Sequence, residues 1–355
     1  MSVVRVGVIL PLKEKSPRGE KMVEFYQGIL MAVDSLRYQG TDVEVRAWHS
    51  GVTATDMDML LSQNSLADCD VVFGPLDVAQ VPLLADYCGI HGVRLVVPFS
   101  SVTTWVGTTP GYYMLTAPTR TVQSEALWYV QNHFVQHQVV LVQCDDATED
   151  GTAFAEMLRM SMTEKGRACK LLNLHADNAA MEAAFSATTP NVVVLSSSSL
   201  KALNSFLPQL KLFAAEHPEH RFCLLGYPDW QTYTSQLLGD FYQVDTYIFT
   251  PFYANPLSPR VQAVENAYLR WFHKPMTSVC PKYALMGLDV GWFFLQALAR
   301  YGDQMDDFVE YLRVEPYQTP LFMQRQGEDG GYVNTFVELV HYTPEQTIEL
   351  ITRNR

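Results

Sequence analysis

The sequence predicts an α/β protein built from two doubly wound parallel-sheet lobes. Three observations predict this: β-branched runs alternate with segments of helical apolar spacing, the alternation starts afresh after Thr116, and 355 residues suit two domains of ordinary size. Apolar residues make up 48% of the chain and charged residues 18%, with no low-complexity tract, so a disordered or fibrous chain is excluded.

Val3 to Leu12 (VVRVGVILPL) is a nearly continuous apolar run stopped by Pro11, the pattern of a parallel strand buried on both faces. Val23, Tyr26, Leu30, Val33 and Leu36 then recur at helical spacing, and Gly40 stands where a C-cap belongs. The unit repeats as strand Val43 to Trp48, helix near Thr55 to Asn64, strand Asp70 to Phe73, helix Val78 to His91 and strand Arg94 to Pro98. Such alternation implies a parallel sheet with right-handed crossovers and helices on both faces. The second lobe opens with a helix at Thr121 to Phe134 and the strand Val139 to Gln143. Further strands are expected at Lys170 to Leu174, Val192 to Leu195, Phe222 to Leu225 and Tyr247 to Thr250, with helices between them. From Pro259 the pattern turns helical, at Val261 to Phe272 and Ala284 to Tyr301, and the tail from Phe322 to Ile351 alternates like paired strands that need a sheet to join.

The formal charge of −13 lacks the positive field that attracts phosphates, so nucleic acid is not an expected partner. Six cysteines (Cys69, Cys88, Cys144, Cys169, Cys223, Cys280) lie far apart without CxxC pairs and read as buried small hydrophobes, a disulfide remaining open. No apolar run reaches the ~20 residues of a membrane-spanning helix, and Met1 and Ser2 lead straight into a strand with no signal-peptide pattern. The chain is then either cytoplasmic or the mature part of an exported protein. There is no GxSxG elbow, P-loop, GxGxxG or HExxH, hence no expected catalytic residue and no expected cofactor. His217 and His220 stand three apart without a third ligand in view and read as surface residues, so no metal is expected.

Several phrases carry a resemblance. VRVGVILPL followed by FYQGILMAVDSL, then DVVFGPLDVAQVPLLADYCGIHGVRLVVPFSS, then PKYALMGLDVGWFFLQALARYG resemble, in that order, type I periplasmic solute-binding proteins of the branched-chain amino acid receptor kind, with Leu288 in place of the usual Tyr. GYPDWQTY, TYIFTPFYANP and GGYVN look like exported members from Bacteroidetes-type bacteria, which often carry LysM modules. No LysM module stands in this sequence, which on the resemblance would be an envelope or periplasmic protein trimmed to its binding domain. The resemblance implies three chain crossings through a hinge, with one lobe from residues 1–118 and 251–322 and the other from 119–250 and 323–355.

In open α/β sheets ligands bind beyond the carboxyl ends of the strands. Applied to this chain, the resemblance implies that the hydroxyls of Ser100 and Ser101 and the amide of Asp77 take the ligand's polar head, the same residues also reading as ordinary caps. Asp77 stands where a Ser or Thr would hold a carboxylate, and DDATEDG (Asp145, Asp146 and on to Gly151) replaces a Tyr-Gly, so the acidic loops favour a cationic or neutral polar ligand over a leucine-like one. Asp146, Thr148, Asp150 and Gly151 also fit the first, third, fifth and sixth positions of a calcium loop, but Met157 holds the position that needs Glu, leaving at most a weak cation site or a solvated turn. After the Phe222 to Leu225 strand, Asp229 is the implied acidic contact, with Tyr227, Trp230 and Tyr233 either stacking on a ligand or packing. The expectation is a non-enzymatic module that binds a small polar solute, an amino acid or related molecule, in an interlobe cleft and serves a permease of the ABC type or a sensor. The alternative is an envelope scaffold that binds peptidoglycan or a cell-wall enzyme.

Overall fold

The computed structural model describes residues 3–63 and 65–353; Met1, Ser2, Asn64, Asn354 and Arg355 lie outside the described residues, as does the expected end of the second helix at Asn64. Two compact units are present, residues 1–118 with 252–336 and residues 119–251 with 337–355.

The first unit runs β1 (Val4–Leu10), α1 (Pro17–Tyr38), β2 (Val43–His49), α2 (Ala54–Leu61), β3 (Val71–Phe73), α3 (Val81–His91), β4 (Arg94–Val97) and β5 (Tyr112–Met114). The second runs α4 (Thr119–Asn132), β6 (Gln138–Gln143), α5 (Glu149–Glu164), β7 (Cys169–Asn173), α6 (Asn178–Ala184), β8 (Asn191–Leu195), α7 (Leu200–Glu216), β9 (Phe222–Gly226), α8 (Thr234–Gln243) and β10 (Thr246–Thr250). The first unit then gains α9 (Pro259–Phe272), α10 (Tyr283–Tyr301), β11 (Met323–Arg325) and β12 (Tyr332–Asn334), and the second gains β13 (Glu338–Tyr342) and β14 (Ile348–Thr352). Both units are seven-stranded sheets, ordered β2-β1-β3-β4-β5-β12-β11 and β7-β6-β8-β9-β10-β13-β14. Each begins as the same parallel, doubly wound order, in which the strand sequence reverses between the first and third strands.

Burial on both faces explains the unbroken apolar strands. In β1, Val6, Val8 and Leu10 pack with Phe25, Ile29 and Val33 of α1 and Phe294 and Leu298 of α10, while Ile9 faces Met57, Leu84 and Cys88 under α2 and α3. Two of the phrases that carried the resemblance are the two sides of one helix contact. A Cβ on Gly28 of α1 would lie 2.0 Å from the Ala284 carbonyl oxygen, and one on Gly287 of α10 would lie 2.0 Å from that of Phe25. The helices therefore touch backbone to backbone, which only hydrogen side chains permit.

Two features depart from the expected organisation. β5 has only three residues, all buried, after a Thr- and Gly-rich stretch, too short for a periodicity to register. The tail divides between the units: β12 pairs parallel with β5, and β13 pairs antiparallel with β10. The expected boundary at 322/323 is accordingly corrected to 336/337, because residues 323–336 complete the first sheet. Both sheets are thus mixed at one edge.

All six cysteines are free, with Cys69, Cys88 and Cys223 buried, and burial pushes the Cys69 thiol up to about 11. Asp289 of α10 is buried and accepts N–H bonds from Tyr317, Gln318 and Thr319 at 2.7 to 2.8 Å, so one carboxyl fixes the loop after α10. Glu338 in β13 is 4% exposed, and burial pushes its carboxyl up to about 8. Its native form therefore holds a proton that the unfolded chain releases above its ordinary pKa. The stability this group contributes is complete below pH ~4.5 and is lost as pH rises through about 8. Glu338→Gln should leave denaturation midpoints nearly unchanged at pH 5 and raise them at pH 8.5, by an amount on the order of 4 kcal/mol if no other group compensates. Equal effects at both pH values in urea titrations would refute the assignment.

Candidate functional site

In the first unit, the strand order reverses between β1 and β3, and the loops that follow those strands meet there. Ser16 caps α1 by accepting the Gly19 N–H at 3.1 Å, and its hydroxyl donates to Glu14 at 2.6 Å. At the second position of α1, Arg18 forms an ion pair with Asp77 of the β3 loop. Gly74 makes that loop possible: its φ is +131°, and a Cβ there would lie 2.0 Å from the Ile9 carbonyl oxygen. Asp77 heads the turn Val78–Gln80 without capping it through its side chain, and its second carboxylate oxygen is buried with no hydrogen-bond partner. The reading of Asp77 as a bare repulsive charge is thus corrected, because Arg18 neutralises it. Ser100, 3% exposed, accepts the Val102 N–H at 3.2 Å and so shapes its own loop, whereas Ser101 is exposed.

The second unit repeats this geometry between β6 and β8. Its frame is the run Ser196 to Ser199. Ser196 accepts the Cys144 N–H at 3.0 Å, Ser197 accepts the Ser199 N–H at 3.2 Å, and Ser198 donates to Asp229 at 2.9 Å. Ser199 donates to Asp146 and caps α7 by accepting the Ala202 N–H at 3.0 Å. Thr148 caps α5 and also receives the Ser198 N–H at 3.2 Å. The Gly151 position explains the tight fit, since a Cβ there would lie 2.6 Å from the Ser196 carbonyl carbon. Asp145 points to solvent and pairs with His175 at 2.9 Å. Asp150, exposed at the start of α5, is shifted upward from its ordinary pKa, first by partial desolvation and then by the charges of Asp229 and Glu149. Asp146, Asp150 and Asp229 stand on the carboxyl edge of one sheet, and Asp150 feels the charge of Asp229.

Two α/β units of one strand order, with polar loops gathered where that order reverses, decide the architecture. The chain has the type I periplasmic binding-protein fold. No family model matches the sequence, and no curated protein matches it. Solved structures do. A branched-chain amino acid ABC transporter protein from Rhodospirillum rubrum aligns over 99% of this chain and 100% of its own, at TM-score 0.69 and 14% identity. An ABC transporter substrate-binding protein from Desulfitobacterium hafniense, in complex with Leu, aligns over 99% and 100% at TM-score 0.54 and 14% identity. A solute-binding protein from R. palustris, in complex with benzoate, aligns over 99% and 96% at TM-score 0.51 and 12% identity. At such identities the likeness is one of fold.

Within this periplasmic binding-protein fold, the structure separates the expected site residues. Asp77, Ser100, Ser101, Asp145, Asp146 and Asp229 all stand on carboxyl-edge loops of their own sheets. Tyr227 and Trp230 do not face outward, which corrects their assignment. The Tyr227 hydroxyl donates to the Leu195 carbonyl in the interior of the second unit, and burial raises it far above its ordinary pKa. Trp230 is fully buried, stacked on Phe241 with centroids 6.0 Å apart and planes 11° apart. Gly226 lets it in, because a Cβ there would lie 1.9 Å from the ring. Spacing could not show this, as the aromatic enters the core from a loop.

The calcium-like loop is a capped turn. Among the described residues, the one group of three His, Cys, Asp or Glu side chains able to converge on a metal ion is His217, Glu219 and His220. His220 is buried, which corrects its reading as a surface residue. Among the described residues no helix is long and apolar enough to cross a membrane.

Proposed function

We propose that the chain is a non-enzymatic solute-binding module of the cell envelope, of the kind that serves an ABC transporter or a sensor, and that its solute is small, polar and positively charged where it meets the second unit. The observation that carries this reading is the acidic edge of that unit: Ser198 holds Asp229 and Ser199 holds Asp146 at the strand-order reversal, with Asp150 exposed beside them in the first turn of α5. The charges of Asp229 and Glu149 act on Asp150, so an arriving cation would be stabilised by charge otherwise spent in mutual repulsion. Leucine and benzoate, the ligands of two structural neighbours, are small carboxylates, and the same fold with this edge suits a cationic amino acid or amine better.

Mass spectrometry of molecules released on denaturing the purified protein, followed by calorimetry with basic amino acids, polyamines and leucine, tests this. Asp229→Asn and Asp150→Asn should each weaken a cationic ligand roughly tenfold or more, since hydrogen bonds to charged groups contribute about 1.5–3 kcal/mol. Affinity should also fall as acid protonates Asp150. Micromolar binding of leucine, unchanged in Asp229→Asn, would overturn the assignment of ligand class.

A further inference from the structure

We propose that the second unit carries a zinc site formed by His217, Glu219 and His220, at the end of its sheet remote from the acidic loops. His217 is the C-cap of α7, and Phe222 opens β9, so this short connection lies at the amino edge of the parallel strands. The His220 N–H donates to the His217 carbonyl at 3.1 Å, a turn through Pro218 that brings both rings to one side. Phe213 backs them: its ring is 4.5 Å from that of His217 and 5.4 Å from that of His220.

The distances match a shared cation better than hydrogen bonds. Nδ1 of His217 lies 3.5 Å and Nε2 of His220 lies 3.6 Å from Oε1 of Glu219, and the three ligand atoms are all within 4.8 Å of one another. Hydrogen bonds of this kind are shorter, at about 2.7–3.2 Å. Four ligands at tetrahedral zinc, with bonds of about 2.0–2.1 Å, stand about 3.3–3.5 Å apart. His220 is held rather than solvated: its side chain is 5% exposed and Nδ1 is buried, so a fixed ring presents Nε2 to Glu219. The final carbonyls of α7, a helix of 17 residues, add the negative end of its dipole.

Two imidazoles and one carboxylate select a borderline metal such as zinc over calcium or magnesium, which take oxygen ligands. The Glu219 side chain is 53% exposed, so the fourth position is open to water. The metal would tie the end of α7 to the start of β9 and leave the solute edge untouched.

The test is titration of the metal-free full-length chain with zinc against a chromophoric chelator, repeated with cobalt for its tetrahedral absorption bands. One equivalent should bind at pH 7.5 and be removed by a strong chelator. Glu219→Gln and His217→Ala, both at partly exposed positions, should each weaken zinc at least tenfold, while His175→Ala, beside Asp145, should change nothing. Failure of the wild type to take up zinc at micromolar concentration overturns the proposal. So does wild-type affinity in both cluster variants, which would place the metal on thiols or other histidines.

Discussion

Gly287→Leu should prevent the first unit from folding, and even Gly287→Ala should destabilise it, although alanine is the better helix former by about 1 kcal/mol. The reason is geometric. The added Cβ would lie 2.0 Å from the Phe25 carbonyl oxygen, which belongs to the α1 backbone and cannot turn aside. To relieve the contact the helices must separate by more than an ångström, loosening Phe25, Ile29 and Phe294 against β1. Overpacking of this sort costs about 1–3 kcal/mol for small additions and more for large ones. Gly28→Ala should behave alike, its Cβ meeting the Ala284 oxygen. Gly89 in α3 is the control, since a Cβ there meets nothing within 4 Å; Gly89→Ala should stabilise by about 0.5–1 kcal/mol. Opposite signs in denaturant titrations of Gly287→Ala and Gly89→Ala are the expected outcome, and stabilisation by both would refute the backbone contact.

Trp230→Ala should cost about 3–5 kcal/mol, the usual penalty for deleting a large buried aromatic. The ring is fully buried, stacked on Phe241 and edge-on to Tyr227 at 5.9 Å, so its removal opens a cavity in the second unit. Its indole nitrogen is buried without a partner, so Trp230→Phe discards an unsatisfied donor along with part of the ring and should be far milder. Ligand affinity, measured at a temperature where the variants are folded, should not change with either substitution. A variant that melts normally yet loses ligand would return Trp230 to the binding edge.

Much of this molecule was legible in its residues. The alternation of β-branched runs with helical spacing marked nearly every strand of both sheets, because strands buried on both faces must be apolar throughout. The same reading located the loops where Asp77, Ser100, Asp145, Asp146 and Asp229 stand, since carboxyl-edge loops follow directly from strand order. Other features depend on contacts between residues distant in sequence. Arg18 reaches Asp77 across 59 positions and cancels the charge that a linear reading assigned to it. Ser198 and Ser199 look like a polar loop until Asp229 and Asp146 are folded onto them. Periodicity says nothing of Trp230, whose burial is set by a glycine beneath it and Phe241 beside it. The tail read correctly as strands, but only pairing with β5 or β10 decides which unit each strand completes. Local pattern determines which backbone stretches must be buried; the partners that satisfy their polar groups and charges are chosen by the tertiary fold, because those interactions act through space and carry no period along the chain.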